Sequence, residues 1–419
     1  MDVIPFSVRW LFLAFVFTLP YGATDLGIPG LTTAPKICGV FFFGLFLLYY
    51  GPLANVRSLP PLDIASLSFL TYLAFIALGV VFITTEFFGD FLVYFTTMAQ
   101  MLLLFWSSSH LLKDERLAKN VSLVFLGGSS LFAILLLIPG VGRLSETTSG
   151  RLEGLNTDPG AVACNMVLGL ILIIGLYIYR PSKKKSLRNL SMLLLAIPVL
   201  VVLIRTQSRG PILAFVAGLF VYWLPHARSR WVLSGTLGIL LVGFTVYMIA
   251  SSPQFVERWA VSYYEGNLAG REDLYAISAD MIREKPLLGW HSVLWAAELG
   301  RREGQGYILR DAHNVWLALL LETGILGAIP CAIGFILCGR SAWKGRHASL
   351  GLVPMALFVS AFGMGLSGNI LIWKQQWLIL GLAHATFKRP RKSDRHVGGS
   401  SYSTANISRT TTLALDQST

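Results

Sequence analysis

The sequence predicts an all-α integral membrane protein of about twelve membrane-spanning helices with one large extramembrane loop. Hydrophobic residues make up 54% of the 419 residues and charged residues 13%, whereas soluble domains contain about 25% charged residues. Many apolar runs reach the roughly 20 residues that a helix needs to cross a hydrocarbon core about 30 Å thick. Alternating ten-residue strands, which build membrane barrels, are absent from the sequence, so we expect helical spans.

The apolar runs locate the individual spans. They cover residues 8–21, 34–53, 62–84, 89–111, 118–139, 159–179, 189–204, 210–225, 231–251, 313–338, 349–367 and 372–387. The first run is short enough to resemble a signal peptide, and we expect it to be a retained first helix.

These spans divide the chain into four parts. Residues 1–251 hold helices one to nine, 252–312 form the large loop, 313–388 hold helices ten to twelve, and 389–419 form a tail. The tail is rich in Ser and Thr without an apolar pattern, which predicts disorder. Within the large loop, the stretch REDLYAISADMIREKP places four apolar residues at helical spacing, which predicts an amphipathic helix on the membrane surface. They are Leu274, Ile277, Met281 and Ile282.

Basic residues orient the chain. They concentrate in alternate turns, namely Arg57; Lys113, Arg116 and Lys119; Arg180, Lys183, Lys184, Lys185 and Arg188; Arg228 and Arg230; and Arg340, Lys344 and Arg346. Because basic residues favour cytoplasmic turns, both termini are predicted to be cytoplasmic and the large loop to lie outside. The same bias accounts for most of the formal net charge of +12, so nucleic acid is not an expected partner.

Several classes of site have no support in the sequence. The four cysteines, Cys38, Cys164, Cys331 and Cys338, show no CxxC or metal-ligand spacing, and we interpret them as small buried hydrophobic residues. Walker, Rossmann and HExxH patterns are absent, which argues against an ATP-driven pump. The outer carboxylates lack DxD spacing, so we predict neither a metal nor a cofactor.

Arginines on the outer side need an explanation, because they oppose the charge bias. They are Arg143, Arg151, Arg205, Arg209, Arg258, Arg271, Arg283, Arg301, Arg302 and Arg310. One interpretation is ion pairing with the acids of the same loops. That interpretation is weaker for Arg205 and Arg209, because their turn, RTQSRG, contains no acid. Paired guanidinium groups suit a diphosphate, so this turn is a candidate anion site.

His313 stands at the start of a long apolar run, in DAHNVWLALLLETGILG (311–327). A helix N-terminus and the neighbouring Arg310 both disfavour an imidazolium, whereas Asp311 favours it. A neutral imidazole could accept a proton, which makes His313 a candidate general base. The structural alternative is a plain helix start with Asp311 as the N-cap.

Three further residues of this stretch have two interpretations each. Asn314 either orients the histidine or an acceptor, or satisfies backbone groups of the first turn. Trp316 either stacks on a sugar or anchors the helix at the membrane interface. Glu322, a carboxylate within a span, is either functional or part of a helix-packing hydrogen bond.

Three motifs in this order resemble the superfamily of O-antigen ligases and O-antigen polymerases. They are RTQSRGPILAF (205–215), GREDLYAISADMIREKPLLGW (270–290) and DAHNVWLALLLETGILG. GLNTDPGAVA (154–163) is similar to the Asn-rich segment of that family. The resemblance covers residues from about 150 to 330, with departures at Pro211 and Trp290, which affect the subfamily more than the family.

This resemblance implies a GT-C-like, metal-independent, inverting glycosyltransferase of the bacterial inner membrane with its active site on the periplasmic face. The implied donor is O-antigen glycan on undecaprenyl diphosphate. The implied acceptor is a sugar hydroxyl of lipid A-core. We expect membrane lipid around the chain, and a monomer or weak oligomer.

Residue by residue, the resemblance assigns catalytic roles to His313, Arg209 and Arg271. Together with the charge argument, it implies that the diphosphate is bound by Arg205, Arg209, Arg271, Arg143, Arg151 and Arg310. Asn314 and Trp316 would orient the acceptor.

Three other functions remain open at this point. An O-antigen polymerase would use a second carrier-linked unit as acceptor, and a protein O-oligosaccharyltransferase would use a polypeptide. The arginine-rich loop favours a phosphorylated acceptor and therefore the ligase. A lipid-linked glycan flippase would be a transporter, but transporters place charges at mid-membrane and carry repeated halves, which this sequence lacks.

Overall fold

The computed structural model describes residues 4–24, 33–50, 61–145, 150–179, 185–223 and 271–387, with a few single positions between 243 and 264. The predicted span 231–251, the first part of the large loop and the predicted tail therefore lie almost wholly outside the described residues.

The described ranges form thirteen α-helices and one β-hairpin. The helices are α1 (Phe6–Thr18), α2 (Ala34–Tyr50), α3 (Ile64–Leu78), α4 (Phe88–Leu111), α5 (Glu115–Leu137), α6 (Pro159–Tyr179), α7 (Lys185–Thr206), α8 (Arg209–Trp223), α9 (Arg271–Glu284), α10 (Leu294–Arg302), α11 (Val315–Lys344), α12 (Val353–Gly365) and α13 (Lys374–Phe387). The hairpin strands are β1 (Gly142–Ser145) and β2 (Arg151–Gly154).

Five helical segments among the described residues are long and apolar enough to cross a membrane. They are Ile64–Phe82, Phe88–Leu111, Glu115–Leu137, Pro159–Tyr179 and Val315–His347. Five shorter apolar helices accompany them. The prediction of an all-α membrane protein is thereby confirmed, whereas the count of twelve spans and the outer placement of the large loop stay predictions.

α6 lies at the centre of the bundle. Most of its side chains are buried, and it packs against α5, α7, α8 and α12. The three cysteines in spans α6 and α11 are buried and free, as the sequence predicts, and Cys38 is partly buried. α6 therefore contributes a largely apolar surface to the interior of the bundle.

Two elements were missed by the sequence pattern. Residues 140–158, expected as a plain loop, contain the antiparallel hairpin β1–β2, in which Arg143 pairs with Glu153 and Leu144 with Leu152. α10, with the sequence LWAAELGRR, is short enough to escape a periodicity search.

The amphipathic helix is confirmed, but its apolar face packs differently from the expectation. Leu274 and Met281 of α9 are buried in a small second core with Trp295 and Leu299 of α10 and Leu321 of α11. These side chains contact protein, whereas the sequence suggested that they lie on the membrane surface. α9 and α10 are thereby fastened to the first turns of α11.

α11 is interrupted at Gly324, where the segment 286–290 fills the break. The N–H groups of Ile325 and Leu326 donate to the carbonyls of Pro286 and Leu287 at 2.9 and 3.2 Å, and the N–H of Trp290 donates to the carbonyl of Leu321 at 2.6 Å. Irregular backbone within a membrane helix requires such partners. The loop that carries α9 is thus hydrogen-bonded into α11.

Glu322 stands beside this break and is buried. The hydroxyls of Tyr72 in α3 and Tyr94 in α4 donate to its Oε2 at 2.6 and 3.0 Å. Glu322 therefore joins three helices, which matches the helix-packing interpretation of this carboxylate.

The break predicts a strict requirement for glycine at position 324. Gly324 has φ 59° and ψ −167°, a region that is essentially restricted to glycine, and an added Cβ would come within 2.3 Å of the Leu287 carbonyl. We expect Gly324→Ala to cost at least about 1–3 kcal/mol and to lower the Tm by several degrees in detergent.

Gly127→Ala is the control for this prediction, because Gly127 lies in α5 with no neighbouring atom within 4 Å of the added Cβ. It should leave the Tm unchanged or raise it. Equal stability of the Gly324→Ala variant would contradict the close approach at the break.

Candidate active site

A cavity of about 550 Å³ lies where several helices begin. Its walls come from the first turns of α6 and α8, the first residue of α9, the segment before α11, the start of β2 and the connection between α12 and α13. We call it the arginine cavity, after Arg151, Arg209 and Arg271, which line it together with His313. Residues far apart in the sequence therefore meet at one end of the bundle.

The electrostatics of the arginine cavity favour anions. Three guanidinium groups line it, and the first turns of α6 and α8 add the partial positive charge of helix N-termini. Asp158 and Asp311 supply the opposing carboxylates. Backbone N–H groups at helix starts and arginine forks are the groups that bind phosphate in proteins.

Arg151 shapes the RTQSRG turn from the hairpin. Its Nε donates to the carbonyl of Thr206 at 2.8 Å, and its Nη2 donates to Ser208 Oγ at 2.6 Å. Within the turn, Gln207 has φ 49°, and its buried Oε1 accepts no hydrogen bond in the described structure. The turn thereby presents Arg209 and a buried amide to the cavity.

His313 occupies a constrained position between α10 and α11. Its φ of 49° lies in the left-handed region that few non-glycine residues adopt. Its N–H donates to Asp311 Oδ1 at 3.1 Å, and its Nδ1 lies 4.0 Å from Asp311 Oδ2. The side chain is 41% exposed, so it remains accessible from the cavity.

The N-cap of α11 is Asn314, whose Oδ1 accepts from the N–H groups of Trp316 and Leu317 at 2.9 and 3.3 Å. The expectation that Asp311 caps this helix was therefore wrong, because the helix begins three residues later than that expectation required. The carboxylate of Asp311 instead lies beside the imidazole of His313.

The acidity of His313 follows from this environment. Burial lowers its pKa below 6.5, the nearby charges of Arg271 and Arg310 lower it further, and Asp311 opposes them. The sequence predicted the same effects of Arg310 and Asp311 on the pKa of His313. Burial, which the sequence did not reveal, is the largest cause of the lowered pKa. A neutral imidazole at pH 7 can accept a proton.

Five of the predicted site residues do not line the arginine cavity, namely Arg143, Arg205, Arg310, Asn314 and Trp316. Arg205 is exposed in the last turn of α7, where a cation is favourable. Arg143 pairs with Glu153 at 3.3 Å, and Arg310 forms a bidentate pair with Glu303 at 2.6 and 2.8 Å.

Trp316 packs against Phe335 and Phe362, away from the cavity. His291 stacks on Phe82 with ring centroids 4.1 Å apart.

The cavity also contains residues that the motifs did not single out. Asp158 caps α6 through the N–H groups of Gly160 and Ala161 at 2.8 and 3.1 Å. Asn369 and Trp373 come from the connection between α12 and α13. The Asp-Pro-Gly sequence at 158–160 signals a helix start, but no local signal points to Asn369.

A metal centre is not assembled in the part of the chain that the structure describes. No three His, Cys, Asp or Glu side chains come together there. Residues that could hold a ligand in the arginine cavity are the arginines, the histidine and neutral amides, which suits an anion.

Comparison with known proteins shows that part of the chain is similar to O-antigen ligases. The family described as "O-Antigen ligase" matches residues 190–332, a stretch that includes Arg209, Arg271 and His313. A curated O-antigen ligase of Pseudomonas aeruginosa is 25% identical over 198 residues, which are 45% of this chain and 46% of that protein. The match thus spans less than half the length of that relative.

A solved structure described as "Structural coordination of polymerization and crosslinking by a peptidoglycan synthase complex" is similar over 78% of this chain and 99% of the matched chain. The TM-score is 0.42 and the identity 16%. At that level the similarity bears on neither fold nor function.

The charges around His313 predict opposite shifts of its pKa in two variants. Arg271→Gln removes a cation that lowers the pKa and should raise it, whereas Asp311→Asn removes an anion that raises the pKa and should lower it. Titration of the imidazole by ¹⁵N NMR in detergent measures both shifts.

Arg283→Gln is the matched control, because Arg283 is on α9 too but is 78% exposed and pairs with Asp280. It should leave the pKa of His313 unchanged. The same shift in the Arg271 and Arg283 variants would refute the assigned charge interaction.

Proposed function

Building on the confirmed resemblance to the O-antigen ligase family, we propose that this membrane protein is a glycosyltransferase of the ligase type. It transfers O-antigen glycan from undecaprenyl diphosphate to a sugar hydroxyl of lipid A-core, without a metal ion. The observation that carries the proposal is the meeting of Arg151, Arg209, Arg271 and His313 in one cavity at the end of an apolar helical bundle.

The donor diphosphate is held by the arginines. Arg209 and Arg271 bind its oxygens, and Arg151 holds the turn that carries Arg209. The helix starts of α6 and α8 add positive potential. The sequence-based roles of Arg205, Arg143 and Arg310 in holding the diphosphate have less support, because their side chains lie outside the cavity lining.

The chemical step is an inverting displacement. His313 removes the proton of the acceptor hydroxyl while the oxygen attacks the anomeric carbon. A new glycosidic bond forms, and the bond between the anomeric carbon and the diphosphate oxygen breaks, with its electron pair passing to that oxygen. Arg209 and Arg271 stabilise the charge that develops there. The products are the extended lipid and undecaprenyl diphosphate.

The proposed sidedness follows the charge bias of the turns. If both termini lie on the cytoplasmic side of a bacterial inner membrane, the helix ends around the arginine cavity face the periplasm. The isoprenoid chain stays in the membrane, and the diphosphate and the first sugars reach the cavity.

The first test is transfer by the purified, full-length protein in the presence of EDTA. Wild type should transfer glycan from undecaprenyl diphosphate to lipid A-core despite the chelator. His313→Ala should lose roughly 10²–10⁴ in rate as a general base, and Arg209→Ala roughly 10²–10³ as a charge-stabilising donor. Arg283→Ala, exposed and remote on α9, should retain the rate.

The other outcomes separate the alternatives. Lengthening of the carrier-linked glycan would favour the polymerase, and transfer to protein would favour the oligosaccharyltransferase. Movement of unaltered carrier lipid across liposomes would favour a flippase. Full activity of the folded His313→Ala variant would remove the proposed base.

The lowered pKa of His313 also predicts the pH dependence. Because the base acts when unprotonated, kcat/KM should fall as the pH drops through a value below 6.5 and be level above it. Asp311→Asn should move this acid limb to lower pH. An acid limb above pH 6.5, or one that Asp311→Asn leaves in place, would contradict the assignment.

A further inference from the structure

A second cavity, of about 410 Å³, opens on the side of the bundle. We call it the lateral cleft. α2 packs on α1, whereas α4 packs on α3 and α13, and the cleft separates these two groups. Its apolar walls include Phe15, Val40 and Phe43 on one side and Val93, Leu103 and Leu104 on the other. Val40 and Val93 are 58% and 69% exposed, so the cleft opens towards the surrounding lipid.

Two lysines stand at one end of the lateral cleft. Lys36 is the third residue of α2, and Lys374 is the first residue of α13. Both side chains line the cleft, and their positive charges repel each other. Each also lies at a helix N-terminus, where the backbone adds positive charge. Two cationic side chains and two helix N-termini at the same end of the cleft suit an anion.

The lysine end of the cleft adjoins the arginine cavity. Trp373 lines the arginine cavity and the next residue, Lys374, lines the cleft. From there the apolar wall of α4 runs from Val93 to Leu104, about 17 Å at the rise of an α-helix. This is close to half of the roughly 30 Å hydrocarbon core. The cleft therefore has the depth of one leaflet, with its charged end at the membrane surface.

This arrangement matches a lipid with a phosphate on its head group. The phosphate fits between the two ammonium groups, which act as point charges rather than as planar forks, and one chain fits along the apolar wall. A diphosphate is already accommodated by the arginines of the neighbouring cavity. A second phosphorylated amphiphile beside the first is what transfer between two membrane lipids requires.

We propose that the lateral cleft binds the phosphorylated lipid acceptor, with a phosphate between Lys36 and Lys374 and an acyl chain between α2 and α4. This assignment rests on the proposed function. It places the acceptor head group next to Trp373, at the border of the cavity that holds His313.

Binding can be measured without transfer. Native mass spectrometry of the full-length protein in detergent would compare lipid A bearing both phosphates with the same lipid after dephosphorylation. Wild type should prefer the phosphorylated form. The double variant Lys36→Ala/Lys374→Ala should lose roughly tenfold or more of that affinity, because it removes both cations from the head-group end of the cleft.

Two variants serve as controls. Lys36→Arg/Lys374→Arg keeps both charges and should retain the preference. Lys119→Ala removes a lysine of α5 that pairs with Glu115 and does not line the cleft, so it should bind as wild type does. Equal binding by the double alanine variant, or equal competition by phosphatidylglycerol, would overturn an acceptor site at the lysines.

The kinetic test separates acceptor from donor. In the double alanine variant, the KM for the lipid acceptor should rise by the same factor as the loss of binding affinity. The donor KM, and kcat at saturating acceptor, should stay near those of wild type. A rise in the donor KM instead would show that the cleft holds the carrier chain. Phosphate-dependent binding without any transfer by wild type would refute the proposed function and leave the lipid site standing.

Discussion

The geometry of the arginine cavity depends on the break in α11 and on the segment that fills it. A membrane helix that loses its own hydrogen bonds at Gly324 must find other partners, because lipid offers none. The carbonyls of Pro286 and Leu287 and the N–H of Trp290 supply them. The polypeptide between α9 and α10 is therefore fixed to the helix that His313 precedes. Arg271, at the start of α9, is held at the same end of the bundle as a consequence.

Helix N-termini form much of the remaining wall of the arginine cavity. α6, α8 and α9 all begin at the cavity, so their partial positive charges add to three arginines. Asp158 and Asp311 are the two carboxylates among the described residues of the lining. The arrangement also lowers the pKa of His313 through Arg271 and Arg310, in addition to burial. Arg271 therefore belongs to the proposed anion site and also helps burial to keep the proposed base neutral.

Hydropathy predicted much of the fold. The span 159–179 coincides with α6, and most other described spans agree within a few residues, because long apolar runs have few alternative structures in a membrane. The hairpin β1–β2 and the break at Gly324 were not predicted. The two strands of the hairpin have only four residues each. The break depends on hydrogen bonds between segment 286–290 and residues 321–326, which are far apart in the sequence. The sequence left both Asp311 and Asn314 open as the residue that satisfies the first turn of α11, because Asp and Asn are equivalent as caps, and the structure shows that Asn314 is the cap.

The arginines of the loops show why site residues are harder to predict than spans. Arg302 pairs with Glu284, 18 residues earlier, and with Glu298, and Arg310 pairs with Glu303. These ion pairs connect α10 with α9 and with the segment that precedes α11. Arg209 and Arg271 have the same chemistry but border a cavity, and nothing in the neighbouring sequence separates the two groups. The distinction arises from which side chains the fold places around the arginine cavity, and it divides one residue type into structural ion pairs and candidate ligands for an anion.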